Sequence, residues 1–151
     1  MTILVDTNIL LRTVDRSSTE HQVCVDALRK LDDLGRNLVI CAQVMIEFWS
    51  VSTRPSQANG MGLDAAVAGA ALDGFTTSMP VLTEVPDIGP RWRRVVDQFS
   101  VISKQAHDAR LIALMEAHGI DRILTLNGKD FARFNHISIL TPADVLASPN
   151  P

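Results

Sequence analysis

Four acidic residues occupy positions where a carboxylate is costly. Asp6 closes the apolar run "TILV" of residues 2 to 5, and Thr7 and Asn8 follow it before Ile9, Leu10 and Leu11 resume the apolar character. Glu47 stands inside "QVMIEFWSVSTR", three residues after Val44 and four before Val51, so helical geometry puts all three on one side. Asp108, in "QAHDARLIALMEAHG", shares a face with Leu111, Ile112 and Met115. Asp130 comes after "LTLNG" and before "FARF". An ionised carboxylate on an apolar face is expensive unless it is paired, hydrogen-bonded or bound to a cation.

Each acid also has a purely local explanation. Asp6 can form an Asx turn or cap a helix, and Glu47 can lie at the edge of its helix. Asp108 can be a first-turn acid stabilised by the positive helix end. Asp130 can cap a short helical "FARF" segment behind the turn formers Asn127 and Gly128.

Taken together the acids point to one chemistry. Carboxylates sharing a cleft repel each other until one takes up a proton or a divalent cation removes the penalty. Carboxylate and water ligation suits Mg2+ or Mn2+, and the chain has no Cys/His cluster with zinc spacing. Such a site activates water and stabilises negative charge at phosphorus, which is what phosphodiester hydrolysis demands. No protein general base is evident: His107 neighbours Asp108 but points about 100° away on a helix. Arg54 and Arg110 are the candidates for holding phosphate.

The elements that must position these acids alternate. "TILV" and "LVIC" (38 to 41) read as buried strands, nearly continuous in apolar character. Between them Val23, Ala27, Leu28, Leu31 and Leu34 keep a helical period, with Ser17, Ser18 and Thr19 as caps and Gly35 as the stop. A helix over "QVMIEFWSVSTR" ends before Pro55, and few of its faces look wet. "PSQANGMG" is turn material, and an Ala-rich helix from Leu63 to Phe75 is capped by Asp64. "PVLT" is a short strand and "RWRRVVDQF" a helix. Gln105 to His118 is helical with Gly119 closing it. "RILTL" and "ISIL" bracket the polar "NGKDFARFNH", and Thr141, Pro142 and Asp144 start a last helix. The expected fold is α/β, a mostly parallel sheet covered on both faces. Asp6 would then lie at the carboxyl end of a strand, where open parallel sheets bind ligands.

At 151 residues with 46% apolar and 21% charged residues, the chain fits one globular domain, 1–151. No apolar run approaches the roughly 20 residues of a membrane span. Two cysteines, Cys24 and Cys41, suggest neither a disulfide framework nor a redox motif, so a reduced, cytoplasmic chain is expected. The net charge of -3 gives no global attraction to nucleic acid, although Arg91, Arg93 and Arg94 supply a local basic cluster.

"LVDTNILL", Glu47 in its helix, "NGMGL", "HDARLIALMEAHGIDRILTLNGKDF" and "ISILTPADVL" together resemble the PIN-domain family, and within it the VapC-type toxin ribonucleases of bacterial toxin-antitoxin pairs. The resemblance runs over roughly residues 2 to 147. It implies a three-layer α/β/α fold and a catalytic, metal-binding set of Asp6, Glu47, Asp108 and Asp130, supported by Thr7, Asn8, Thr125 and Asn127. Some relatives carry an acid where this chain has Asn127, which leaves open how Asp130 reaches the metal. The resemblance further implies Mg2+- or Mn2+-dependent hydrolysis of RNA leaving a 3'-hydroxyl, homodimerisation, and silencing by a cognate antitoxin. A nuclease acting in RNA processing or on DNA would use the same acids. A non-catalytic α/β module binding nucleic acid or protein would use them structurally. A phosphohydrolase of the haloacid dehalogenase type would need an Asp where this chain has Asn8.

Overall fold

In the computed structural model, which describes residues 1–151, the buried apolar runs form a five-stranded sheet. β1 (Thr2–Val5) lies at its centre, between β2 (Asn37–Cys41) and β4 (Arg122–Leu124). β3 (Val81–Leu82) extends the sheet beyond β2 and β5 (Ser138–Leu140) beyond β4. Every pairing is parallel, with Leu4 level with Val39 on one side and Ile123 on the other. Ile3, Leu4, Val5, Ile40, Ile123 and Leu124 are fully buried, as strands covered on both faces require.

The chain builds outward from β1 through β2 to β3, then crosses to the other side of β1 to lay down β4 and β5. The direction of winding therefore reverses between β1 and β4. The carboxyl ends of these two strands flank the crevice that such a reversal opens.

Helices cover both faces: α1 (Thr7–Val14), α2 (His21–Asp33), α3 (Ala42–Thr53), α4 (Ala65–Ser78), α5 (Ile88–Gln98), α6 (Gln105–Ala117), α7 (Gly128–Phe131) and α8 (Pro142–Ala147). A 3-10 turn at Ser56–Ala58 links α3 to α4. Phe48 of α3 meets Phe75 of α4 edge to face, with centroids 5.4 Å apart. Gly35 and Gly119 end α2 and α6 at φ +65° and +64°, conformations that a side chain would oppose.

Four local expectations change. Ile9 to Leu11 belong to a helix, α1, whose N-cap is Asp6 itself. Ser17 to Thr19 do not cap α2, because Ser17 is taken up by the Asp15 carboxylate through both its amide and its hydroxyl. α3 is wetter than its composition suggests, with Ile46 67% and Trp49 39% exposed. α7 begins at Gly128, so Asp130 sits inside its first turn and does not cap a helix over "FARF".

The start of α8 follows its sequence signature. Asp144 donates its amide to the Thr141 hydroxyl, and the Asp144 carboxylate accepts from the Thr141 amide, a reciprocal capping box. Thr141→Ala removes the cap and should cost about 1 kcal/mol in equilibrium unfolding, read as a fall in the urea midpoint with an unchanged slope.

Candidate active site

Asp6 leaves the end of β1 in extended geometry, φ -75° and ψ 154°, and turns the chain into α1. Its Oδ1 accepts from the Thr7 amide at 2.7 Å. Its Oδ2 accepts from Asn8 Nδ2 at 2.7 Å and from the Thr125 hydroxyl at 2.6 Å. Asn8 and Thr125 tie this carboxylate across the β1/β4 junction. Asn8 Nδ2 also donates to Thr125 Oγ1 at 3.1 Å, and Asn8 Oδ1 accepts from the Leu126 amide at 3.0 Å. The Asn127 amide donates to Thr125 Oγ1 at 3.0 Å, so Asn127 enters this network through its backbone.

Glu47 is held from both sides. Its Oε2 accepts from the Thr7 hydroxyl at 3.0 Å and its Oε1 from Gln43 Nε2 at 2.9 Å. Gln43 is buried one helical turn earlier and also donates to the His107 carbonyl at 3.0 Å. Its carbonyl accepts from Arg110 at 3.0 Å, and Arg110 pairs with Glu84 at 2.8 Å.

Electrostatics bring in the remaining two acids. Burial pushes the Asp108 carboxyl up from 3.8 to about 6, and the charges of Asp130, Asp6 and Glu47 push in the same direction, with His107 opposing. Burial also raises Asp6, aided by Glu47 and opposed by the hydrogen bonds from Thr125, Thr7 and Asn8. Asp108 therefore feels the charges of the other three acids, and no ion pair joins Asp6, Glu47, Asp108 or Asp130 to an Arg or Lys.

A family model for the PIN domain matches residues 3–137 of the chain. The chain belongs to the PIN-domain family. PIN domains are generally nucleases. Solved structures show the same fold at low identity. VapBC2 from Rickettsia felis, solved bound to a DNA fragment from its promoter, superposes with a TM-score of 0.68 at 16% identity, over 93% of this chain and 98% of that one. VapBC-1 from nontypeable Haemophilus influenzae gives 0.70 at 14%, over 95% and 99%. PAE2754 from Pyrobaculum aerophilum gives 0.62 at 18%, over 98% and 100%. No curated protein matches the chain significantly.

In this PIN domain the donor set fits a hard divalent cation, being oxygen throughout, negatively charged and without a resident counter-ion. No three acidic, histidine or cysteine side chains stand close enough to ligate one ion directly.

Gln43 and Glu84 were not among the residues the sequence singled out. Gln43 had a usable signal, since it lies four residues before Glu47 on one helix. Glu84 had none, because it sits in an irregular stretch between β3 and α5. Arg54 ends α3 exposed, its guanidinium 3.5 Å from the Ser50 hydroxyl, and nothing ties it to the acids. The basic cluster is partly neutralised at its source: Arg91 pairs with Asp87 at 2.9 Å and Arg93 with Asp97 at 2.8 Å.

Proposed function

We propose that this PIN domain, spanning residues 1–151, is a Mg2+- or Mn2+-dependent endoribonuclease and the toxin of a toxin-antitoxin pair. What supports the reading is that Thr7 joins Asp6 to Glu47 beside the β1/β4 reversal, and that Asp108 feels the charges of Asp6, Glu47 and Asp130. Asp6 and Glu47 are the oriented carboxylates, each held on both oxygens. Asp108 receives no protein hydrogen bond that would stabilise its charge, which leaves its oxygens for an ion or its water shell. Asp130, in the first turn of α7, completes the rim.

A cation bound here supplies an activated water and stabilises the charge that develops on the phosphoryl oxygens. The protein's own part is orientation. Thr7, Asn8 and Thr125 fix Asp6 and link it to Glu47, so two ligands from distant segments share one rigid frame. His107 is exposed and lies one residue from Asp108, off the side that faces the other acids, so it is not assigned as a base.

An antitoxin partner and a homodimer are part of the same proposal. VapBC proteins stand among the structural neighbours, and exposed Trp49 and Val67 give α3 and α4 an apolar outer face for self-association. Trp92 is a poorer interface candidate, because its indole donates to the Ala106 carbonyl at 2.9 Å. No helix is long and apolar enough to cross a membrane, in keeping with a proposed cytoplasmic site of action.

The test is a Mn2+ titration of antitoxin-free protein on a mixed pool of structured RNAs and matched DNAs, with end mapping. Cation-dependent internal cuts in RNA leaving 3'-hydroxyl ends are expected. Cutting that persists in chelator, or cutting of DNA alone, overturns the reading.

A further inference from the structure

A cavity of about 560 Å3 opens beside Glu47, between the first turns of α3 and α6. Its apolar side is Ala42 and Ile46, and its polar side is Gln43, Glu84, His107 and Arg110. It shares Gln43 and Glu47 with the acid site, so a nucleotide whose phosphate lies at the acids has its base within reach of this space.

We propose that the cavity is a base subsite selective for guanine, next to the scissile phosphate. The inference rests on the nuclease reading for the presence of RNA, and on the cavity's own chemistry for the choice of base. Arg110 uses one terminal nitrogen on Gln43 and the other on Glu84, which leaves further N–H groups of its five to donate. Glu84 binds Arg110 through Oε2, and its other oxygen is engaged by no protein donor in this contact. A cationic donor fork and an anionic acceptor therefore stand side by side and half exposed, at 34% and 36%.

Guanine is the base whose edge carries acceptors, N7 and O6, adjacent to donors, N1–H and the 2-amino group. Arginine on N7 and O6 is the commonest specific contact to guanine, and a carboxylate complements the neighbouring donors. Adenine puts an amino group where O6 would be, directly against the guanidinium. The exposed His107 ring offers a face on which an unstacked base of single-stranded RNA can stack, and Ile46, 67% exposed, adds an apolar contact. Gln43 then connects the two sites, because one amide touches Arg110 with its oxygen and Glu47 with its nitrogen. Filling the base subsite would fix the glutamate.

The experiment measures binding of a short single-stranded RNA carrying one guanosine, and of the same RNA with adenosine or inosine in its place, by fluorescence anisotropy in EDTA. The parent and Glu84→Gln are compared, with Arg110→Lys as a second variant. The parent should prefer guanosine over adenosine by roughly tenfold or more and over inosine by less, since inosine lacks only the 2-amino group. Glu84→Gln should shrink the guanosine-to-inosine ratio towards one, because an amide offers one acceptor where the carboxylate offered two. Arg110→Lys should narrow the guanosine-to-adenosine gap, because an ammonium lacks the fork. Equal binding of the three RNAs by the parent, no binding of any, or discrimination unchanged in both variants overturns the proposal. Base discrimination without cleavage in any cation would leave the subsite and remove the nuclease reading. Cleavage without base discrimination would do the reverse.

Discussion

Asp6→Asn should lower cation-dependent RNA cleavage by roughly 1,000-fold, the several kcal/mol that a catalytic cation contributes, while the folded chain remains. The two effects separate because Asp6 has two roles. As the N-cap of α1 it needs an oxygen facing the Thr7 amide, and asparagine supplies one. As a ligand it needs its charge, which asparagine lacks. The other half of the side chain is the delicate part. Oδ2 accepts from both Asn8 and Thr125, and an amide nitrogen there would face the Asn8 amide donor to donor. Asn8 cannot simply flip, because its oxygen accepts from the Leu126 amide. Thr125 cannot simply turn acceptor, because its hydroxyl oxygen already accepts from Asn8 Nδ2 and from the Asn127 amide. Two lost hydrogen bonds, about 2 kcal/mol together, are set against relief of a buried carboxylate whose burial raises its pKa. The net change in unfolding free energy should therefore stay within about 2 kcal/mol. Circular dichroism and urea unfolding check the fold, and cleavage with Mn2+ checks the chemistry. Retention of parental activity in a clean preparation removes Asp6 from the site.

What the sequence made legible followed from periodicity. Leu111, Ile112 and Met115 recur at helical spacing and are all buried, and "TILV" is too continuous to be a half-exposed strand. The same patterns placed Asp6 at a strand end and Asp108 on a packed helix face. Asp6 as a cap and Asp6 as a site residue looked like competing explanations, yet one carboxylate does the first through Oδ1 while Oδ2 is drawn towards β4. α1 was hidden for the same reason, since its first turn is the site segment itself.

Other features were illegible because they depend on contacts across the fold. The Thr125 hydroxyl reaches Asp6 only because β4 crosses to the free side of β1, a choice that no local pattern encodes. The exposure of Ile46 and Trp49 depends on where α4 lies against α3. Glu84 acquires a partner only when Arg110 of α6 comes beside it.

The second large effect concerns charge and stability together. Mn2+ at about 100 times its Kd should raise the unfolding free energy of the parent by about 2.7 kcal/mol, which for a chain of this length is roughly 5–10 °C in Tm. Without the cation, Asp108 should make the protein more stable in mild acid. Its carboxyl titrates at about 6 in the folded chain against 3.8 ordinarily, so between these values the folded state binds more protons than the unfolded one. Stability then falls as pH rises through 4 to 6, and is regained as pH drops from 7.5 to 5. Asp6, also raised, acts in the same sense. A shift of this size at a fully buried group would be about 3 kcal/mol, and solvent screening at half-buried Asp108 brings it to about 1 kcal/mol. The lowered carboxyls of Asp15, Asp87 and Asp144 oppose this trend only below their ordinary 3.8, outside the window. Asp108→Asn should therefore stabilise the cation-free protein by about 1 kcal/mol at pH 7.5, flatten its pH profile and shrink the Mn2+ shift. Differential scanning fluorimetry across pH, with EDTA or Mn2+, reads all three. A parent whose Tm ignores Mn2+ and declines steadily from pH 7.5 to 5 would mean that these carboxylates are compensated within the protein, and that their convergence serves the fold and not an ion.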